Sequence, residues 1–238
     1  MTAAPTTTAP LAVETAALES VTVDLYRDIH KGIRAELFAV TTLTGSADAA
    51  DDEALRTLVA RQHALAVLLE HHAAHEDEHV QPLLERHAGD LADVVTRDHD
   101  ALERHMARVV SLAERAVDAL AGERRLAVHR WYLAMASFSS QYLAHQAFEE
   151  LELAPTLAAA IGTDGLAATH DAIVSNIPPD EMASALAVML PAMNLDDRAE
   201  MLGGMRDGAP PEVFAGVSAL ASSVLTASDY EALTRRLG

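Results

Sequence analysis

The sequence predicts an all-α protein, an up-and-down bundle of four long helices followed by a smaller helical C-terminal region. Three observations predict it. Half of the 238 residues are apolar but only 4% are aromatic, and a chain dominated by Ala and Leu favours helix over strand. Apolar residues recur at three- and four-residue spacings through most of the chain. The interruptions between those runs are short, and short connections between long helices produce antiparallel neighbours.

Residues 1–18 are rich in Thr, Ala and Pro without helical periodicity and read as a disordered lead-in. The bundle is expected over residues 19–160. Its first helix should run from Val21 to Thr42, with Ile29, Ile33, Leu37 and Val40 on one stripe, and end in the stretch Thr44 to Asp52 that contains Gly45. The second should begin at Asp51 and Asp52, which suit a helix start as cap and as charge on the positive end of its dipole, and reach about His87 with a kink at Pro82. Gly89 and Asp90 break the pattern. Leu91 to Ala121 reads as the third helix, and beyond Gly122 a fourth runs to about Ala160.

Ile161 to Gly165 is a second break. Residues 166–238 are expected to form an extension of four short helices, punctuated by Pro178-Pro179 and Pro210-Pro211 and capped at Asn194 and Ser228. The apolar positions Val188, Leu190, Val213, Phe214, Val217 and Leu220 suit either a homodimer or partner face or a return over the bundle. Met182, Met189, Met193, Met201 and Met205 read as core packing.

Charge and composition exclude several function classes. A net charge of −19 argues against nucleic acid and anionic membrane as partners, since both need clustered Lys and Arg. The chain has no cysteine, so disulfides, iron–sulfur clusters and thiolate metal sites are excluded, and any metal must be held by nitrogen and oxygen. Met1 to Ser20 carries no Lys or Arg and no long apolar run, the wrong pattern for a secretory signal or a membrane span. A cytoplasmic protein is expected.

Twelve histidines matter less by number than by spacing. On the second helix His72 and Glu76 stand at i and i+4, one turn apart on the same face, where an imidazole and a carboxylate can address one point. The fourth helix repeats this with His145 and Glu149, and the first and third supply His30 and His99. Each lies on an apolar stripe: His30 with Tyr26, Ile33 and Leu37; His72 with Leu65 and Leu69; His99 with Val95, Leu102 and Met106; His145 with Phe138, Tyr142 and Leu153. Bundle proteins build di-iron sites from such inward residues on facing helices. Imidazole suits iron, and a carboxylate can bridge two cations and relieve their repulsion. Four His and two Glu would hold two irons with positions left open. His63, His71, His87, His105 and His129 read as surface residues, His170 as a surface or capping residue, and Asp77 and Glu78 as a solvated face.

The order His30, His72 with Glu76, His99, His145 with Glu149 resembles the hemerythrin-like (HHE cation-binding) family, in its bacterial type with a C-terminal helical extension. The flanks agree: Asp28 to Arg34 is similar to that family's first helix, Glu76-Asp77 followed by Pro82 to its second, and His145 to Glu150 to its fourth. The resemblance spans about Val21 to Leu157. It implies two iron ions joined by an oxo or hydroxo bridge, with Glu76 and Glu149 bridging both, and a small diatomic ligand or peroxide as partner. Zinc or manganese would be second choices for the same donors. The chain departs from the family's oxygen carriers, which place a second histidine one turn after that of the third helix. Glu103 stands there instead, as a seventh ligand or as a solvent-facing side chain that leaves an iron more open. His75 and His79 lie near the His72 face as outer partners or substitute ligands, and Tyr26 and Tyr142 fall one turn from His30 and His145 as hydrogen-bond donors or redox-active neighbours. Three functions stay open: a di-iron protein that binds or senses dioxygen, peroxide or nitric oxide; a di-iron oxidase, oxygenase or peroxide-decomposing enzyme; and a structural helical interaction module.

Overall fold

A computed structural model describes residues 21–238, so the lead-in expected over residues 1–18 lies outside the described residues. The protein is all-α, and the described residues contain no strand. Four long helices form the bundle: α1 (Arg27–Ser46), α2 (Asp52–His79), α4 (Gly89–Asp118) and α5 (Ala121–Phe148), with the short α3 (Gln81–His87) between α2 and α4. A π-helical segment, Glu149–Leu153, joins α5 to α6 (Ala154–Asn176). Four further helices follow: α7 (Pro179–Ala192), α8 (Leu195–Gly208), α9 (Pro211–Val224) and α10 (Ala227–Leu237).

Local chemistry accounts for most boundaries, and it moves several of those expected from sequence. Asp24 Oδ1 accepts from the backbone N–H of Tyr26 and of Arg27, so α1 starts at Arg27 rather than at Val21. It continues past Thr42 to Ser46 and ends inside the expected stretch Thr44 to Asp52, one residue after Gly45. A Cβ at Gly45 would stand 2.9 Å from the Tyr132 ring of α5, so the glycine serves a close approach. Asp51 caps α2 as expected, its side chain accepting from Ala54 N–H at 2.9 Å. The expected kink at Pro82 is instead a break at Val80, and Pro82 occupies the first turn of α3, where a missing N–H costs nothing. Gly89 opens α4 and Gly122 lies inside the first turn of α5, so neither separates helices.

The expected break after Ile161 is a kink at Gly162, whose φ of 67° is left-handed, and the chain is helical again on to Asn176. The C-terminal region therefore contributes five helical segments beyond that kink, not four. Asn194 caps α8 as expected, accepting from Asp196 and Asp197 N–H, while α10 is capped by Thr226 rather than Ser228.

Packing places a polar layer between two apolar ones. One cluster is built from Ile33, Leu37 and Val40 of α1, Leu65 and Leu69 of α2, Leu102 and Met106 of α4, and Trp131, Phe138 and Tyr142 of α5. A second cluster holds Tyr26, Val80, Leu84, Val95, Leu153 and Leu157. On every bundle helix the candidate ligands fall between the two: His30 between Tyr26 and Ile33, His72 and Glu76 between Leu69 and Val80, His99 between Val95 and Leu102, His145 and Glu149 between Tyr142 and Leu153. Pairings of Arg34 with Glu150, Thr41 with Ser139 and Gly45 with Tyr132 show α1 running antiparallel to α5.

The tail has a core of its own, with Leu186, Leu190, Met193, Leu202, Ala221 and Leu233 buried and Met182, Met189, Met201 and Met205 packed against them. It returns over the bundle through α7. A Cβ at Gly32 would stand 3.1 Å from the Met189 backbone, a helix-to-helix approach closer than most side chains make. Beside it, Lys31 pairs with Asp197, and Arg27 approaches both Asp197 and Glu200.

Candidate metal centre

The bundle brings together all six residues singled out by spacing. His30, His72, Glu76 and Glu149 form one group, and Glu76, His99, His145 and Glu149 a second, with the ligand atoms of each group within 4.8 Å of one another. The two groups share both carboxylates. Each carboxylate divides its oxygens between the histidine pairs: Glu76 Oε1 lies 3.3 Å from His72 Nε2 and Oε2 3.2 Å from His99 Nε2. Glu149 Oε2 lies 3.4 Å from His30 Nε2 and Oε1 3.1 Å from His145 Nε2. The Nε2 atoms of His30 and His72 are 3.2 Å apart. All four imidazoles thus present Nε2 to a common centre.

The π-helical turn re-aims the end of α5. Regular helix would turn consecutive residues 100° apart, whereas a widened turn, of the kind frequent at functional sites, lets two successive side chains act inward. Glu149 joins the cluster, and Glu150 receives His30 Nδ1 at 2.9 Å and both guanidinium nitrogens of Arg34 at 2.6 and 2.8 Å. On the other half His99 Nδ1 lies 2.9 Å from Asp77 Oδ1. A carboxylate on the far ring nitrogen fixes the tautomer and orientation of a metal-binding histidine. Sequence reasoning missed these three residues. Asp77 is exposed, as a solvated face predicts, and turns away from Glu76 on its own helix, but it also meets a partner on α4. Arg34, one turn from His30, and the doublet Glu149-Glu150 were the signals available.

Electrostatics follow from this crowding. Burial lowers His72 to about 4, reinforced by the other three imidazoles and opposed by Glu76. Burial would lower His99 too, but the Glu76 and Asp77 carboxylates beside it raise it to about 9. His145 is raised and Glu149 lowered, each against its own burial, by the other's presence. Tyr26 and Tyr142 are pushed well above the ordinary tyrosine value by burial and then by Glu76 and Glu149, so both stay neutral hydroxyls. Their rings pack 5.0 Å from that of His30 and 5.8 Å from that of His145.

The remaining sequence candidates lie elsewhere. Of the two alternatives for Glu103, the solvent-facing one matches its exposed position, which points outward on α4 while Leu102 and Met106 face the core. His75 turns away from His72, and its Nε2 meets Glu181 of α7 at 2.5 Å. His79 belongs to neither group, although its Nε2 is buried without a partner.

Four atoms of the cluster, Glu76 Oε1 and Oε2, His99 Nε2 and Glu149 Oε2, are buried without a well-angled hydrogen bond. Buried carboxylate oxygens left in that state are costly unless paired or bound to a cation. The donor set of four imidazoles and two carboxylates, with nitrogen and oxygen only, therefore fits metal ions.

Fold and site together define an all-helical bundle with a buried metal-binding layer of histidine and glutamate. The hemerythrin HHE cation binding domain family matches the chain over residues 21–157, and the protein belongs to that family. No curated protein and no solved structure matches it. No helix among the described residues is long and apolar enough to cross a membrane.

Proposed function

We propose that this is a non-haem di-iron protein that binds dioxygen, peroxide or nitric oxide. The observation that carries this reading is the division of each buried carboxylate between two histidine pairs. Two cations side by side repel, and carboxylates set between them reduce that repulsion and the net charge of the site. His30 and His72 would hold one ion, His99 and His145 the other, with Glu76 and Glu149 shared.

Bound iron would supply redox chemistry and open coordination positions for a small ligand. The protein's own residues prepare the setting. Glu150, Arg34 and Asp77 hold the His30 and His99 rings, and the apolar layers on either side keep bulk water from the polar one. Tyr26 and Tyr142 place protonated hydroxyls beside the site, available as donors to a polar ligand. Zinc and manganese suit the same donors, and affinity alone does not select iron; iron is what the family membership favours.

The test is optical. Anaerobically reduced protein mixed with dioxygen, nitric oxide or hydrogen peroxide should change its visible absorption, and His72→Ala should abolish the change. Reversal on removing the ligand marks binding, and consumption of excess peroxide marks turnover. An unchanged spectrum with all three ligands would contradict the proposal.

A further inference from the structure

The C-terminal helices grip the bundle on one side. Among the described residues, every ion pair between α7 or α8 and the bundle falls on α1 or α2. On α1, Lys31 pairs with Asp197 and Arg27 lies 3.2 Å from Glu200. On α2, His75 Nε2 lies 2.5 Å from Glu181 Oε1 and His71 Nδ1 3.4 Å from Oε2. Arg27, Lys31 and Gly32 stand within one turn of His30, and His71 and His75 within one turn of His72. His99 and His145, on α4 and α5, have no such neighbours. We propose that the C-terminal region is a clamp that holds His30 and His72 in register for one metal ion, with Glu181 and Asp197 as its positioning residues. The inference rests on the two-metal reading of the centre.

Geometry gives the clamp its purpose. The Nε2 atoms of His30 and His72 are 3.2 Å apart, close to the separation of about 3 Å between nitrogens bound to one ion. They belong to different helices, so their spacing follows the placement of α1 against α2, and a metal constellation works only when held within about 0.5 Å. A single helix, α7, touches both: Glu181 in its first turn meets α2, and about two turns further on the backbone of Val188 and Met189 lies 3.1–3.2 Å from where a Gly32 Cβ would stand. The Glu181 and Asp197 side chains are largely shielded from water, where an ion pair is worth more than at an open surface. Asp197 is fixed further by Asn194 Nδ2 at 2.7 Å. The tail buries a core of its own, so these charged contacts serve its docking rather than its folding.

The test loads the full chain with zinc, which is diamagnetic, and follows the imidazole nitrogen resonances of the four central histidines while a chelator is added. In Glu181→Ala and in Asp197→Asn, His30 and His72 should revert to their metal-free signals at a chelator concentration about fivefold or more below that in the parent, the lower end of ordinary coupling between sites. His99 and His145 should shift less and revert later. Glu181→Gln, which keeps an acceptor for His75, should recover most of the difference. A general loss of stability would instead weaken all four rings alike, so an equal shift of the four, or no shift in either variant, would overturn the proposal while leaving the two-metal reading intact. A parent chain that takes up no zinc at either half would overturn that reading and the clamp with it.

Discussion

Glu150 receives His30 Nδ1 at 2.9 Å while its other contacts are the two nitrogens of Arg34. An imidazole that donates Nδ1–H to a carboxylate must offer Nε2 as its free lone pair, and here Nε2 points to the centre of the cluster. Glu150→Gln keeps the shape but removes the charge that strengthens this bond. Removing such outer partners costs ~10–100-fold in metal affinity. Metal competition against a calibrated chelator should show a loss of that order for Glu150→Gln, and a smaller loss for Asp77→Asn because Asp77 is more exposed.

The same contact sets an acid limit for the metal-free protein. Burial would raise the Glu150 carboxyl, but the hydrogen bonds and charges of His30 and Arg34 overturn that and hold it at about 2, below the ordinary 4.5. A group whose pKa is depressed by folding stabilises the fold above its unfolded value and loses that contribution as pH falls. Urea unfolding of metal-free protein should therefore show stability dropping between about pH 4.5 and 2. Glu150→Gln should flatten that part of the profile relative to the parent.

Metal loading should release protons. His99 is raised to about 9 in the metal-free protein, so at neutral pH its imidazole carries a proton that a metal ion must displace, and His145 is shifted in the same direction. Calorimetric titration in buffers of different ionisation enthalpy should report about one proton or more released per chain near pH 7. Zero release would show that the His99 ring is already neutral.

At the α1–α7 contact a side chain at position 32 is crowded, since its Cβ would meet the Met189 backbone at 3.1 Å and α7 would have to give way. Gly32→Leu should destabilise the protein by about 1–3 kcal/mol, the usual cost of overpacking a close contact. A lowered urea midpoint with unchanged helicity checks this.

Much of the bundle was legible because its signals are local. Asp51 as a cap, the apolar stripes through Leu37, Leu69, Met106 and Phe138, and the spacing of His72–Glu76 and His145–Glu149 all depend on residues within a turn or two of one another. The candidate ligands emerged for the same reason, each lying on a stripe that had to face inward. Relations between distant helices were not legible. Asp77 faces His99 and Glu150 faces His30 only once α2 meets α4 and α5 meets α1. Gly45 gave no sign of its close approach to Tyr132, 87 residues away, and Gly32 gave no sign that α7 would press against it. The π-helical turn at Glu149–Leu153 had no signature in a pattern that continues helically through it.

The central claim is that two metal ions share Glu76 and Glu149, and metal analysis of aerobically purified protein tests it most directly. The account predicts about two irons per chain with visible absorption characteristic of a bridged di-iron centre, and loss of both in His72→Ala, His145→Ala and Glu76→Gln. A folded, colourless chain free of metal, or a full complement of iron retained in those variants, would contradict it.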